Sequence, residues 1–139
     1  MVVFQRIGAS YSEATLAGGG PLTMAGSLLL GARVAIADDG TVFATNQRPI
    51  SVVAFSLAGT YSISASKGIA SGTLSNPASI VVTPSGSLLL VGDIGAGGRQ
   101  GAVFQYTLNT ANATYSLTQT FVSAATTAGQ DAQVGYSLA

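Results

Sequence analysis

The chain has no cysteine, no histidine and no tryptophan, and only five basic and five acidic residues among 139. Each absence removes a class of function. Without cysteine there are no disulfides, thiolate nucleophiles or thiolate metal sites. Without histidine as well, neither a Ser-His-Asp nor a Cys-His catalytic arrangement can be built. The cations Arg6, Arg33, Arg48, Lys67 and Arg99 are scattered, so no patch tracks a phosphate backbone and nucleic acid is not an expected partner. Long apolar runs are missing too. The longest, Leu22 to Ala37, is about 16 residues and is interrupted by Gly26, Ser27, Gly31 and Arg33, too short to span a bilayer as a helix. The opening MVVFQRIG has no basic stretch leading into an apolar one, so no signal peptide is read there; the chain is expected to be either intracellular or a mature or excised piece of a longer protein, and the second is favoured.

What is present is apolar and small. Hydrophobic residues make up 47% and charged ones 7%, with 18 glycines. Disordered chains owe their disorder to high charge and low hydrophobicity, so this chain is expected to fold, as one domain. A net charge of zero also removes the electrostatic barrier to self-association.

The apolar residues lie in turn-bounded runs without helical period, which predicts an all-β fold of antiparallel, blade-like four-stranded repeats, incomplete as a single chain and packed as propeller-like blades or a sandwich. Strands are expected at Val2 to Ile7, around Tyr11 to Leu16, at Ile50 to Leu57, Thr60 to Ser66, Ala102 to Leu108 and Thr114 to Val122, with another opening at Val134 to Ala139. Two hairpins are predicted. Arg33 to Thr45 turns at Asp38-Asp39-Gly40, where glycine accepts positive φ and aspartate bonds nearby backbone; Ile80 to Val91 turns at Pro84-Ser85-Gly86. Ser71 to Pro77 and the glycine-rich Gly92 to Gly101 read as loops.

Internal similarity organises these pieces. VVFQRIGASYS from Val2 aligns with VVAFSLAGTYS from Val52 at an offset of 50, placing Tyr11 over Tyr61. GAVFQYTLNTANATYS from Gly101 is a third copy, with Leu57 over Leu108 and Tyr61 over Tyr115. RVAIADDGTVFAT overlays SIVVTPSGSLLLV at an offset of 46, LTMAGSLLLG overlays VTPSGSLLLVG at 60, and Ser137-Leu138-Ala139 matches Arg33-Val34-Ala35. The predicted organisation is a partial repeat over 1–21, repeats over 22–78 and 79–133, and a strand stub over 134–139. Each full unit carries four strands in about 45 to 60 residues, the size of a propeller blade.

Val91-Gly92-Asp93, Gly101-Ala102-Val103-Phe104 and Gly135-Tyr136-Ser137-Leu138-Ala139 resemble the FG-GAP repeats of integrin α-type β-propellers, in which a V-G-A-P-like turn precedes a glycine loop, an aromatic strand and an F-G-x-S-V-A strand. The resemblance covers Ile80 to Ala139 best and implies a blade-like fold and extracellular display. Two departures limit it. The family's calcium loop carries alternating aspartates, whereas Asp38 and Asp39 are adjacent and point apart in an extended chain, so a solvated turn is favoured over a calcium site. About two and a half repeats also fall short of the four to eight blades of a closed propeller.

Candidate sites follow. The strands holding Val2, Val3, Phe4 and Ile7, and Val134, Tyr136 and Leu138, are expected to offer unpaired edges to copies of the same chain. Asn112-Ala113-Thr114 is an N-glycosylation sequon in a predicted loop. Tyr61, Tyr106, Tyr115 and Phe104 could stack sugars, but repeated aromatics in β-units more often pack in the core. The glycine loop shares a GxGxxG-like spacing without its βαβ context. No cofactor and no catalytic residue is expected. The leading reading is a non-enzymatic, extracellular structural subunit that assembles by β-strand pairing into a filament or other homopolymer. The alternative is a fragment of a secreted FG-GAP-like propeller that binds protein or carbohydrate; an outer-membrane barrel fits less well, for want of sustained alternation and aromatic girdles.

Overall fold

A computed structural model describes residues 3–7, 10–14, 30–47, 50–58, 60–69, 74–122 and 134–139. The fold is all-β and antiparallel. A two-stranded sheet pairs β1 (Val3–Ile7) with β2 (Ser10–Ala14). The second sheet is a meander of β3 (Val34–Ile36), β4 (Val42–Gln47), β5 (Ile50–Ala58) and β6 (Thr60–Ile69). The third repeats that plan with β7 (Pro77–Val82), β8 (Leu88–Asp93), β9 (Ala102–Asn109) and β10 (Thr114–Val122). One short helical turn, α1 (Ala96–Arg99), interrupts the strands.

The predicted hairpin turns form for the expected reason. Gly40 and Gly86 take φ of 79° and 69°, where a side chain is strained, and each donates its amide three residues back, to Ala37 at 2.9 Å and Thr83 at 2.8 Å. The single offset of 46 does not survive the turn, however. Ile36 pairs with Val42, while Val82 pairs with Leu89, so the second hairpin holds one residue more. Beyond Gly86 the equivalent residues are therefore 47 apart, not 46: Phe43 corresponds to Leu90 and Asn46 to Asp93. Since strand side chains alternate, that one residue exchanges the faces of β8 relative to the sequence alignment. The third and fourth strands of the two four-stranded sheets match as expected, with Leu57 opposite Tyr61 and Leu108 opposite Tyr115. The copy at the start of the chain departs by one residue: Tyr11 pairs with Arg6, not with Ile7 as its alignment with Tyr61 requires.

With the register corrected, each sheet has a front and a back. The back of the β3–β6 sheet carries Val42, Ala44, Val53, Phe55 and Tyr61, all buried in one cluster. The equivalent residues of the β7–β10 sheet are Leu89, Val91, Phe104, Tyr106 and Tyr115. They belong to a different cluster, packed with the front of the first sheet: Ala37, Phe43, Val52, Ala54 and Ile69. The sheets thus stack front on back. Phe43 and Tyr115 meet edge to face across this junction, ring centres 5.5 Å apart, and burying a side chain such as Phe43 contributes about 2 to 3 kcal/mol.

Other expectations shift at element ends. Pro77, expected in a loop, is the first residue of β7, a position where its missing N–H costs little. The glycine loop is shorter than read, since β8 runs to Asp93 and α1 fills much of the rest, with Gly97 and Gly98 left-handed inside it. Val134 to Ala139 is not a strand: Val134 makes one parallel bridge to Gly101 and the remainder is irregular. The Val134 amide and the Gly135 carbonyl are bonded instead through contacts described below. Val2, Pro49 and most of 22–31 lie outside the described residues.

Candidate functional site

Three groups of polar contacts tie separate elements of the described structure together. The first joins the turns of the two four-stranded sheets. Asp38 donates its amide to the Pro84 carbonyl at 2.8 Å, so the two hairpin tips are tied through backbone. Beside them Asp39 accepts the Thr41 amide at 2.8 Å on one oxygen and the Lys67 ammonium at 3.1 Å on the other. Lys67, from β6, also donates to the Thr41 hydroxyl at 3.0 Å. Burial works to raise the Asp39 carboxyl's pKa, but the Thr41 amide and hydroxyl and the Lys67 charge together hold it below its ordinary value. Burial, and secondarily the Asp39 charge, push the Tyr61 and Tyr115 phenols up. The Tyr115 hydroxyl donates to the Gly86 carbonyl. Both Asp39 oxygens are thus occupied by protein donors, and Asp38 is exposed beside it. This is the turn reading of the Asp38-Asp39 pair, in which the second carboxylate pins the turn to β6.

The second group was missed by sequence reasoning. Asp93 closes β8 and is fully buried. Its carboxylate accepts three backbone amides, from Ser75, from Asn76 at 2.8 Å and from Gly95 at 2.9 Å. It therefore fastens the segment entering β7 to the turn leaving β8. The signal was an aspartate between a strand end and a glycine, a setting in which such side chains bond backbone two residues on. An open cleft of about 330 Å³ nearby is lined by Gln47, Ile50, Ser75, Asn76 and Pro77, none of them ionisable.

The third group surrounds the 134–139 segment. Gly135, with φ of 86°, lays its backbone on β8 so closely that a Cβ on Gly92 would collide with its carbonyl, and a Cβ on Gly135 would fall 2.6 Å from the Ala102 oxygen. Ser79, on the front of β7, donates its hydroxyl to the Gly135 carbonyl at 2.7 Å, and Val134 donates its amide to Gln100 at 3.2 Å. A bond at the other junction is its counterpart. Arg33, aligned with Ser79 at offset 46, donates Nε to the Ala78 carbonyl at 2.5 Å, from the first sheet to the entering strand of the second. The 134–139 segment thus stands to β7 as β7 stands to β3. Gly31 and Gly135, each two residues before the aligned Arg33 and Ser137, share the same left-handed backbone at φ 84° and 86°.

The predicted edge residues separate accordingly. Val3, Phe4 and Ile7 lie in β1, whose described pairing is to β2 alone. Val134 bridges Gly101, Tyr136 is exposed and Leu138 is half-buried. Tyr61 and Tyr106 are core residues, and Phe104 and Tyr115 pack against the core. Asn112 is exposed in the β9–β10 turn, its side-chain oxygen accepting the Thr114 amide at 3.2 Å and hydroxyl at 2.6 Å. No helix among the described residues is long and apolar enough to cross a membrane. No protein-family model, curated protein or solved structure matches the chain.

Proposed function

We propose that this chain is a non-enzymatic structural subunit that associates with copies of itself, through its β-sheets, into an extracellular filament or other homopolymer. The observation that carries the reading is the stacking of one sheet's front on the next sheet's back. Such a contact is heterologous, and a heterologous contact propagates until it closes into a ring or runs on as a fibre. The charge-poor composition supports it, because little electrostatic repulsion opposes association. The absence of His and Cys and the structural engagement of Asp39 and Asp93 favour a subunit over an enzyme. Light scattering on a sizing column and negative-stain microscopy, over a range of concentrations, test it. Rings or fibres are expected; a folded monomer at every concentration overturns the proposal.

A second reading has its own support. Four-stranded meanders stacked in this way are also how the blades of a propeller pack, so the chain could act within a larger FG-GAP-like protein that binds protein or carbohydrate. The exposed Asn112 sequon suits such a surface. Specific retention of the monomer on a glycan or protein array would favour this reading.

A further inference from the structure

The two four-stranded sheets differ in what their fronts meet. Phe43 and Val52, on the front of the β3–β6 sheet, are each 1% exposed beneath the second sheet. Their equivalents on the β7–β10 sheet, Leu90 and Val103, are only half-buried. Val81, paired with Leu90, is half-buried as well, and Phe121, paired with Val103, is 42% exposed. At the β7 side of this front the 134–139 segment is already seated by Ser79, Gly92 and Ala102.

We infer that the front of the β7–β10 sheet is the docking surface for the β1–β2 hairpin of a second copy of this chain. The inference rests on the self-association proposed above and names the surface that performs it. Continuity with the junction inside the chain chooses the occupant. There, the front of one sheet takes the back of a sheet of the same repeat, with first strand beside first strand (Arg33 to Ala78) and the outer strands beside one another. On the open front, the place of a first strand is held by the 134–139 segment, whereas over β9 and β10 Val103 stays half-buried and Phe121 exposed. The β1–β2 hairpin has the reverse composition. At offset 50 it aligns with the third and fourth strands β5 and β6, with its turn one residue tighter, and in its described pairing β1 lacks the second neighbour that β5 has in β4 and β9 has in β8. Val3, Gln5 and Ile7 align at offset 50 with Val53, Phe55 and Leu57 of the back of the first sheet. The register of the hairpin groups them on one face with Ser10, Ser12 and Ala14, while Tyr11, paired with Arg6, falls on the other. One copy supplies the strand place and the open front, and the next copy supplies the hairpin.

Because the natural chain has no cysteine, directed cross-linking reads this contact against a silent background. Val103→Cys and Gln5→Cys are made separately, and each is oxidised alone and in equimolar mixture. The expected result is a disulfide-linked dimer in the mixture, at least ten-fold above either variant alone. A dimer of Val103→Cys alone, equal to that in the mixture, would mean a front-to-front contact and overturn the inference. So would light scattering that shows association without a cross-link in any sample, although the proposed self-association would then stand. A monomer by light scattering, with no cross-link, overturns both. A Thr110→Cys control on the exposed β9–β10 turn sets the collision background for every comparison.

Discussion

Two copies of one repeat, folded alike, are stabilised unequally. The centre of the β3–β6 sheet is buried on both faces, so that Val42, Phe43, Ala44, Thr45 and Asn46 run along β4 without an exposed position, while Val34, Ile36 and Ile63 on its outer strands are exposed. The β7–β10 sheet buries its back and leaves its front half-covered, and the nine residues of β10 are exposed along most of their length. Hydrophobic stabilisation follows area removed from water, so equivalent residues in the two sheets do not count equally. What differs is the neighbour each sheet has, as in solenoids, where stability sums unit and interface contributions.

The sharpest test of that contrast compares Phe43→Ala with Leu90→Ala, two equivalent positions. Removing the Phe43 ring from the shared core is expected to cost about 3 to 5 kcal/mol, while Leu90→Ala costs roughly 1 kcal/mol in the monomer, both read from urea midpoints. Equal losses would break the comparison. If copies cover the open front, the Leu90 penalty grows with protein concentration, since association stabilises by mass action. Asp93→Ala comes next. It leaves three amides without their acceptor at a fully buried site, and about 3 kcal/mol is expected from buried unsatisfied groups. Hydrogen exchange should speed up first at Ser75, Asn76 and Gly95. A variant that exchanges uniformly would show instead that Asp93 supports the whole sheet.

Gly135→Ala is expected to be milder for the sheets and decisive for the segment they seat. The left-handed φ and the collision with Ala102 should release residues 134–139 to limited proteolysis while the melting temperature moves by only a few degrees, as a strain of about 1 kcal/mol implies. The smallest effect belongs to the Asp39–Lys67 pair. Asp39 has a folded pKa below its unfolded value, so its contribution is present above the ordinary carboxylate range and fades as pH falls through the lowered folded value. With Asp39 54% exposed, solvent screens most of it. Lys67→Met should therefore cost under about 0.5 kcal/mol and flatten the acid limb of the stability profile.

Much of this fold was legible because its signals are local. Asp-Gly and Ser-Gly turns, alternating apolar runs and the aligned Tyr61 and Tyr115 located the two meanders and their hairpins. What escaped was governed by single residues. One extra position after Gly86 sends Phe43 and the residue aligned with it at 46, Leu89, to opposite faces of their sheets, which no similarity score detects. Asp93 looked like any turn aspartate because its three donors come from two separate segments, one of them 17 or more residues away. The Val134 to Ala139 stretch has strand composition, yet Gly135 must turn left-handed to reach Gly92, and a ladder cannot continue through that geometry.

In both four-stranded sheets every hydrogen-bonded neighbour is also the next strand along the chain. Within each sheet loop closure is therefore local, so that a hairpin needs no distant segment in order to pair. The same connectivity bears on ancestry. A unit that never threads through its neighbour can be duplicated or deleted whole, so repeat number in a lineage of such chains is free to drift while each sheet keeps its own wiring.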